Sequence, residues 1–334
     1  MAFFLKDEIE REPVEISRIA KIYKLKPNTL EKQYKNHLSS FLEFKEWFKE
    51  SLEKESFVFY KNFGENMALD ETGLVNSDLY TFLINKDAKG KKGSIAAMIK
   101  GTKSKVIVNA IMKKVDMNTM KNIKEITMDL SNSMDWIAHQ IAPQGLKTYD
   151  RFHVQQLVTE AVQAVRVKLR WEAIEEENDA ILEAKEKNEN YCALIYENGD
   201  TKKQLLARGR YILYKPSSKW TPNQAERAKI LFKHFPILKK IYDLSMYFRN
   251  CYEQVDNHMF SKWIEKVEQS DFKEMKVAAK TVKSHLGGIS NYFINKSTNA
   301  NIESFNAKLK LFRRNTRGIS DKDFFFFRLI IYFT

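Results

Sequence analysis

Apolar residues recur along this chain with two different periods, and the changes of period mark its organisation. Between residues 14 and 44, Ile16, Ile19, Ala20 and Tyr23 fall at helical spacing. A break follows at Lys26-Pro27-Asn28, and Thr29 is placed to cap a second helix carrying Leu30, Tyr34 and Leu38. Helix, short turn, helix is the outline of a helix-turn-helix DNA reader and equally of an ordinary helical hairpin. Near residue 65 the period shortens. Asn66–Asp70, Leu79–Ile84 and Ser94–Ile99 predict three strands, the first ending in a carboxylate, with a turn at Lys89–Gly93 and the order of an antiparallel meander. Residues 104–115 suit an amphipathic helix. Ile126–Asp129 predicts a fourth strand, again ending at an Asp, and Ser131 is placed to cap a helix through Ile141. Leu146–Phe152 predicts a fifth short strand.

From residue 153 to about 295 the pattern is almost wholly helical. Val154–Arg170 is amphipathic, and Glu172–Glu189 is an acid-rich run, most simply a solvated face. Arg208–Tyr214 reads as a short extended break, Thr221-Pro222 opens a helix, and Gly287-Gly288 interrupts the pattern. A final helix is expected from near Asn299, carrying Ile302, Phe305, Leu309 and Phe312. The order strand, strand, strand, helix, strand, helix, strand, helix is that of a ribonuclease H-like α/β domain with a mixed sheet. In such sheets ligand chemistry gathers at the carboxyl ends of strands, where Asp70 and Asp129 fall.

Composition sharpens this picture in three ways. Apolar residues at 43% with few Gly and Pro provide for a sizeable core. A formal net charge of +13 points to a polyanionic partner, nucleic acid before an anionic membrane surface. Two cysteines, Cys192 and Cys251, without finger spacing argue against a disulfide framework or a structural zinc site. No apolar run approaches a membrane span, and the acidic residues in MAFFLKDEIEREP interrupt what would be a signal peptide. These features predict a soluble cytoplasmic protein.

Phosphodiester chemistry needs metal ions more than covalent help from protein, and Mg²⁺ is content with a few carboxylates and water. Two strand-end Asp residues and a later helical Glu meet that need: Asp70, Asp129 and Glu303. Glu71 is less suited, because successive strand residues face opposite sides; Asp78 is also less suited. Basic residues flank the set. Residues 86–124 hold 11 Lys against Asp87 and Asp116, and Lys308, Lys310, Arg313 and Arg314 continue the Glu303 helix, where they would contact DNA phosphates. Trp171, Trp220 and Trp263 lie in the helical stretch, where an aromatic ring is either core or a platform for a base.

The wording around these residues is ALDETGL at Asp70, ITMDLSNSM at Asp129, YDRFHV at Asp150 and NANIESFNAKLK at Glu303. Together these segments resemble the DDE transposases of bacterial insertion sequences, specifically the ISL-three family, from about residue 60 onward. The resemblance implies that Asp70, Asp129 and Glu303 are the three catalytic carboxylates, holding two Mg²⁺ ions with Mn²⁺ able to substitute. It implies that Asp150 and His153 organise the site, although Asp150 rivals Asp129 for the second position. Asp129 is preferred because the fourth strand of this fold lies beside the first.

The expected organisation is residues 1–60 as a helical region with a possible helix-turn-helix, 61–171 as the first part of the catalytic core, 172–295 as an all-α insertion, and 296–334 as the core region with the catalytic Glu. The implied activity is metal-dependent cleavage at transposon ends and strand transfer into target DNA. The implied partners are double-stranded DNA and further copies of the chain in synapsis, at the nucleoid of a bacterium. A nuclease or resolvase that does not join, and an inactive DNA-binding regulator, are the alternatives. The cysteine-rich zinc segment usual in the family is not present, which leaves end recognition to another mode or to a separate end-binding protein.

Overall fold

The computed structural model describes residues 2–11, 14–75, 78–254, 256–296, 300–315 and 321–334. The chain divides into two compact units, one comprising Met1–Asp150 with Asn291–Thr334 and the other Arg151–Ser290.

The first unit is built on a six-stranded mixed sheet. Its strands are β1 (Ser56–Val58), β2 (Asn66–Gly73), β3 (Leu79–Asn85), β4 (Ile95–Lys100), β5 (Glu125–Met128) and β6 (Leu146–Tyr149). Their spatial order is β1-β4-β3-β2-β5-β6. β2, β3 and β4 form the expected antiparallel meander, while β5 runs parallel beside β2 and β6 parallel beside β5. β1 is an addition to the expected set and pairs with the outer edge of β4. Two strand ends differ from expectation: β6 stops at Tyr149, because a helix opens at Arg151, and β2 does not end at Asp70 but runs on to Gly73. For β2 the reason is its two unequal neighbours. β3 pairs along the whole strand, from Met67 opposite Asn85 to Gly73 opposite Leu79, whereas β5 stops at Leu69.

Alternation along the strands assigns the two faces. Ala68 of β2 joins Tyr80, Phe82 and Ile84 of β3 in a core with Ile302, Phe305, Leu309 and Phe312 of the Glu303 helix (Ala300–Asn315) and the phenylalanines of the last helix (Lys322–Phe333). Helices of the N-terminal region contribute Ile9, Ile19, Leu30, Tyr34, Phe41 and Phe44 to the same core. Met67 and Leu69 are buried outside that cluster. The helix Asn132–Ile141 packs on β2, β5 and β6 and buries Met134, Ile137, Ala138 and Ile141. Each fully buried large apolar side chain contributes about 1.5–3 kcal/mol, so a run such as Phe324–Phe327, buried at every position, anchors the last helix strongly. That helix was not among the expected elements. Asn299, where the preceding helix was expected to begin, lies outside the described residues.

The second unit is helical. Val154, Val158, Val162 and Val165 line the buried side of one helix, Arg151–Glu186, which absorbs both the amphipathic stretch and the acid-rich run. Thr221 caps the helix Pro222–His234 through a capping box with Gln224, as its Thr-Pro opening predicts. Arg208–Tyr214 is not extended: helices cover Lys202–Arg208 and Arg210–Leu213. As helix the segment satisfies its backbone groups internally and buries Ile212 and Leu213. Gly287-Gly288 does not interrupt a helix either. Leu286–Asn295 runs through both glycines, at about 1 kcal/mol each relative to alanine, and the break falls at His285 instead. At the N-terminus the second expected helix begins at Pro27, not behind a Thr29 cap, since proline suits the first helical position. Among the described residues no helix is long and apolar enough to cross a membrane.

Candidate active site

Three aspartates stand in a row across the sheet. In the parallel ladder Leu69 pairs with Met128, and Met128 with Tyr149. The next residue on each chain is Asp70, Asp129 and Asp150. In-register neighbours of parallel strands share a face, so the row falls just past the ends of β5 and β6 and at the point of β2 where its pairing with β5 stops. The Asp150 amide extends the ladder by donating to the Met128 carbonyl at 2.8 Å. Carboxylate oxygens of Asp129 and Asp150 come within 4.8 Å of each other, and no other carboxylate of the described residues joins both at that spacing. Asp150 is buried at 3% exposure and Asp129 is half-buried. His153 follows one turn along the chain, half-buried in the first turn of Arg151–Glu186.

Asp70 is held from two directions. Its Oδ1 accepts the Glu71 backbone N–H at 2.7 Å, and its Oδ2 accepts Asn306 Nδ2 at 2.6 Å. The Asn306 Oδ1 in turn accepts the buried Thr72 hydroxyl at 2.9 Å. Thr72 is two residues beyond Asp70 and therefore on its face of β2. Glu303 is exposed in the first turn of its helix, where the helix dipole favours a negative charge. It lies one turn before Asn306, so the residue that touches Asp70 shares the Glu303 face of the helix. Neither Asn306 nor Thr72 was a candidate from sequence. The available signal was their spacing, one helical turn after Glu303 and one strand repeat after Asp70.

Neighbouring acids are differently engaged. Burial, and then the charge of Asp70, push the Glu71 carboxyl above its ordinary range. Asp78 pairs with Lys100 at 2.7 Å.

The basic residues of the Glu303 helix divide into two sets. Lys310, Arg313 and Arg314 line a cleft of about 360 Å³ whose other wall is Thr72 and Gly73 of β2 with Leu74 just beyond it. Lys308 turns elsewhere: its ammonium donates to the carbonyls of Lys89 and Gly90, at 3.1 and 3.0 Å. Of the three tryptophans, Trp263 is buried and donates to the Leu244 carbonyl, Trp220 donates to Ile212, and Trp171 exposes its ring. Cys192 and Cys251 are both free thiols.

No curated protein and no solved structure matches the chain. Comparison with protein families matches residues 67–329, well over half of the chain and inclusive of Asp70, Asp129, Asp150 and Glu303, to a family described as transposase. With that match spanning both the strand-end aspartates and the Glu303 helix, the chain belongs to the ISL-three family of DDE transposases.

Proposed function

We propose that this transposase cuts the DNA at transposon ends and joins the freed 3′-hydroxyl to target DNA at one site formed by Asp70, Asp129 and Glu303. The observation that supports the proposal is the alignment of Asp70, where the pairing of β2 with β5 stops, with Asp129 and Asp150, the residues that follow β5 and β6. The meander followed by two parallel strands is also the strand arrangement of a ribonuclease H-like core, with the helical stretch 172–295 as its insertion.

The donor set fits a hard divalent cation. The three proposed ligands, Asp70, Asp129 and Glu303, offer carboxylate oxygens, which suit Mg²⁺ or Mn²⁺. Two carboxylates within 4.8 Å repel by about 3 kcal/mol at the effective dielectric of a protein site, a cost that a bound cation removes. Two such ions would supply activation of the attacking oxygen and stabilisation of the leaving oxygen. The protein's own part is placement. Asp70 and Asp129 hold their positions from neighbouring strands, and Glu303 approaches on a helix packed against β2. Asp150, buried beside Asp129, and His153, three residues further along the chain, organise the site rather than bind metal. Lys310, Arg313 and Arg314 bind backbone phosphates in the cleft beyond Thr72. Double-stranded DNA is the substrate, and synapsis of two ends calls for more than one copy of the chain.

The test is cleavage of supercoiled plasmid carrying candidate transposon ends, with Mg²⁺, Mn²⁺ or EDTA. Wild type should nick only with metal and yield strand-joined product. Asp70→Ala, Asp129→Ala and Glu303→Ala should each abolish nicking while DNA binding persists. Cutting at the wild-type rate by all three variants would overturn the assignment, and nicking without joined product would leave a nuclease.

A further inference from the structure

We infer that Asn306 is a positioning residue, a single amide that holds the Asp70 carboxylate on the sheet to the helix bearing Glu303. The inference rests on the reading of Asp70 and Glu303 as metal ligands, and it assigns work to two residues outside that set, Asn306 and Thr72.

The geometry is a short relay. Thr72 donates its hydroxyl to Asn306 Oδ1 at 2.9 Å, and Asn306 Nδ2 donates to Asp70 Oδ2 at 2.6 Å. The primary amide of asparagine presents an acceptor and a donor on two atoms of one planar group, so it accepts from Thr72 and donates to Asp70 at the same time. Thr72, 7% exposed, orients the amide, since a hydroxyl donating to Oδ1 leaves Nδ2 facing Asp70. The Glu71 amide fixes the other carboxylate oxygen at 2.7 Å. Each carboxylate oxygen thus accepts from a neutral donor. A neutral donor fixes the rotamer of a carboxylate without cancelling its charge, whereas a lysine or arginine in that place would compete with a cation.

The same contact sets the spacing between two ligands. Glu303 precedes Asn306 by three residues, about 4.5 Å along the helix axis. Anchoring Asn306 on Asp70 therefore fixes how far along β2 the Glu303 turn lies. The apolar residues Ile302, Phe305 and Leu309 hold the helix to the sheet, but apolar packing is non-directional. The amide adds the directional contact that apolar packing lacks.

Calorimetric titration of Mn²⁺ into the full-length protein tests this without relying on turnover. Asp70→Ala should lose the Mn²⁺ site. Asn306→Ala should bind Mn²⁺ about 10–100-fold more weakly, as when an outer partner of a metal ligand is removed. Thr72→Val preserves the β-branched shape that β2 uses, and should weaken binding by a smaller factor. The double variant should bind no more weakly than Asn306→Ala, because the hydroxyl acts only through the amide. Wild-type affinity in Asn306→Ala or in Thr72→Val, with binding lost in Asp70→Ala, would overturn the inference. Wild-type affinity in Asp70→Ala would overturn the site reading beneath it.

Discussion

Lys308 illustrates how charge read along a sequence separates from charge available at a surface. On the linear chain it is one of four cations following Glu303. In the fold its ammonium caps two carbonyls of the β3–β4 turn. Gly90 makes this possible twice over, with a φ of +68° and a position where a β-carbon would stand 2.8 Å from the ammonium. Lys308→Met should therefore lower stability, by about 1–2 kcal/mol for lost charge-assisted hydrogen bonds, and leave the salt dependence of DNA binding unchanged. Thermal melting and anisotropy titrations on one preparation check both halves; a slope reduced by about one unit would instead make Lys308 a phosphate contact. Asn306 and Trp263 carry the same lesson. Spacing could place Asn306 on the Glu303 face, but its partner, 236 residues away, lies beyond any local pattern. No period distinguishes Trp263, wholly buried, from Trp171, with 61% of its surface exposed.

Elements were legible where burial is one-sided. β2 to β6 were readable from short apolar runs and the turns between them, and the helix Ser104–Met112 from its amphipathic period. Misreadings came where local propensity was overridden. Arg208–Tyr214 is helical because it buries Ile212 and Leu213, and Leu286–Asn295 carries two glycines through its first turn. The last helix, apolar on nearly every side, offered no amphipathic period because core surrounds it. One ion knot ties several of these elements together. Glu55, at the end of the helix Lys49–Lys54, accepts from Lys322 at 2.8 Å, from Lys100 at 3.1 Å and from the Tyr80 hydroxyl. Burial alone would raise its carboxyl, but the hydrogen bonds from Lys322, Tyr80 and Lys100 outweigh it and hold the group below its ordinary range. A group depressed on folding contributes stability above its unfolded pKa, about 4.3 for Glu, and loses it as pH falls through the folded value. Glu55→Gln should thus be less stable than wild type at pH 7, by about 1–3 kcal/mol, and should lose less melting temperature on acidification from pH 5 to 3. Parallel melting curves for the two proteins over that interval would remove Glu55 from the acid sensitivity.

At the scale of the whole molecule, the +13 net charge predicts DNA binding that weakens steeply with salt, because each neutralised phosphate releases counterions. The cleft beside β2 localises part of that field. Lys310→Ala, Arg313→Ala and Arg314→Ala should each reduce the slope of log affinity against log salt by about one unit. Unchanged slopes in all three, measured by fluorescence anisotropy, would put the DNA on another face.

By itself the sequence determined the α/β class, the strand order from β2 onward, the family, and the residues Asp70, Asp129, Asp150 and Glu303 as candidates. Those are properties of local period, turn chemistry and wording, which neighbouring residues carry among themselves. Only tertiary structure decided that three aspartates follow paired residues of adjacent strands, that N-terminal helices share the core of the sheet, that Lys308 is engaged by the carbonyls of Lys89 and Gly90, and that Asn306 bridges to Asp70. Those depend on which strand lies beside which and where a helix docks. Such pairings between distant segments are selected by burial of whole faces, and the one-dimensional pattern leaves them open.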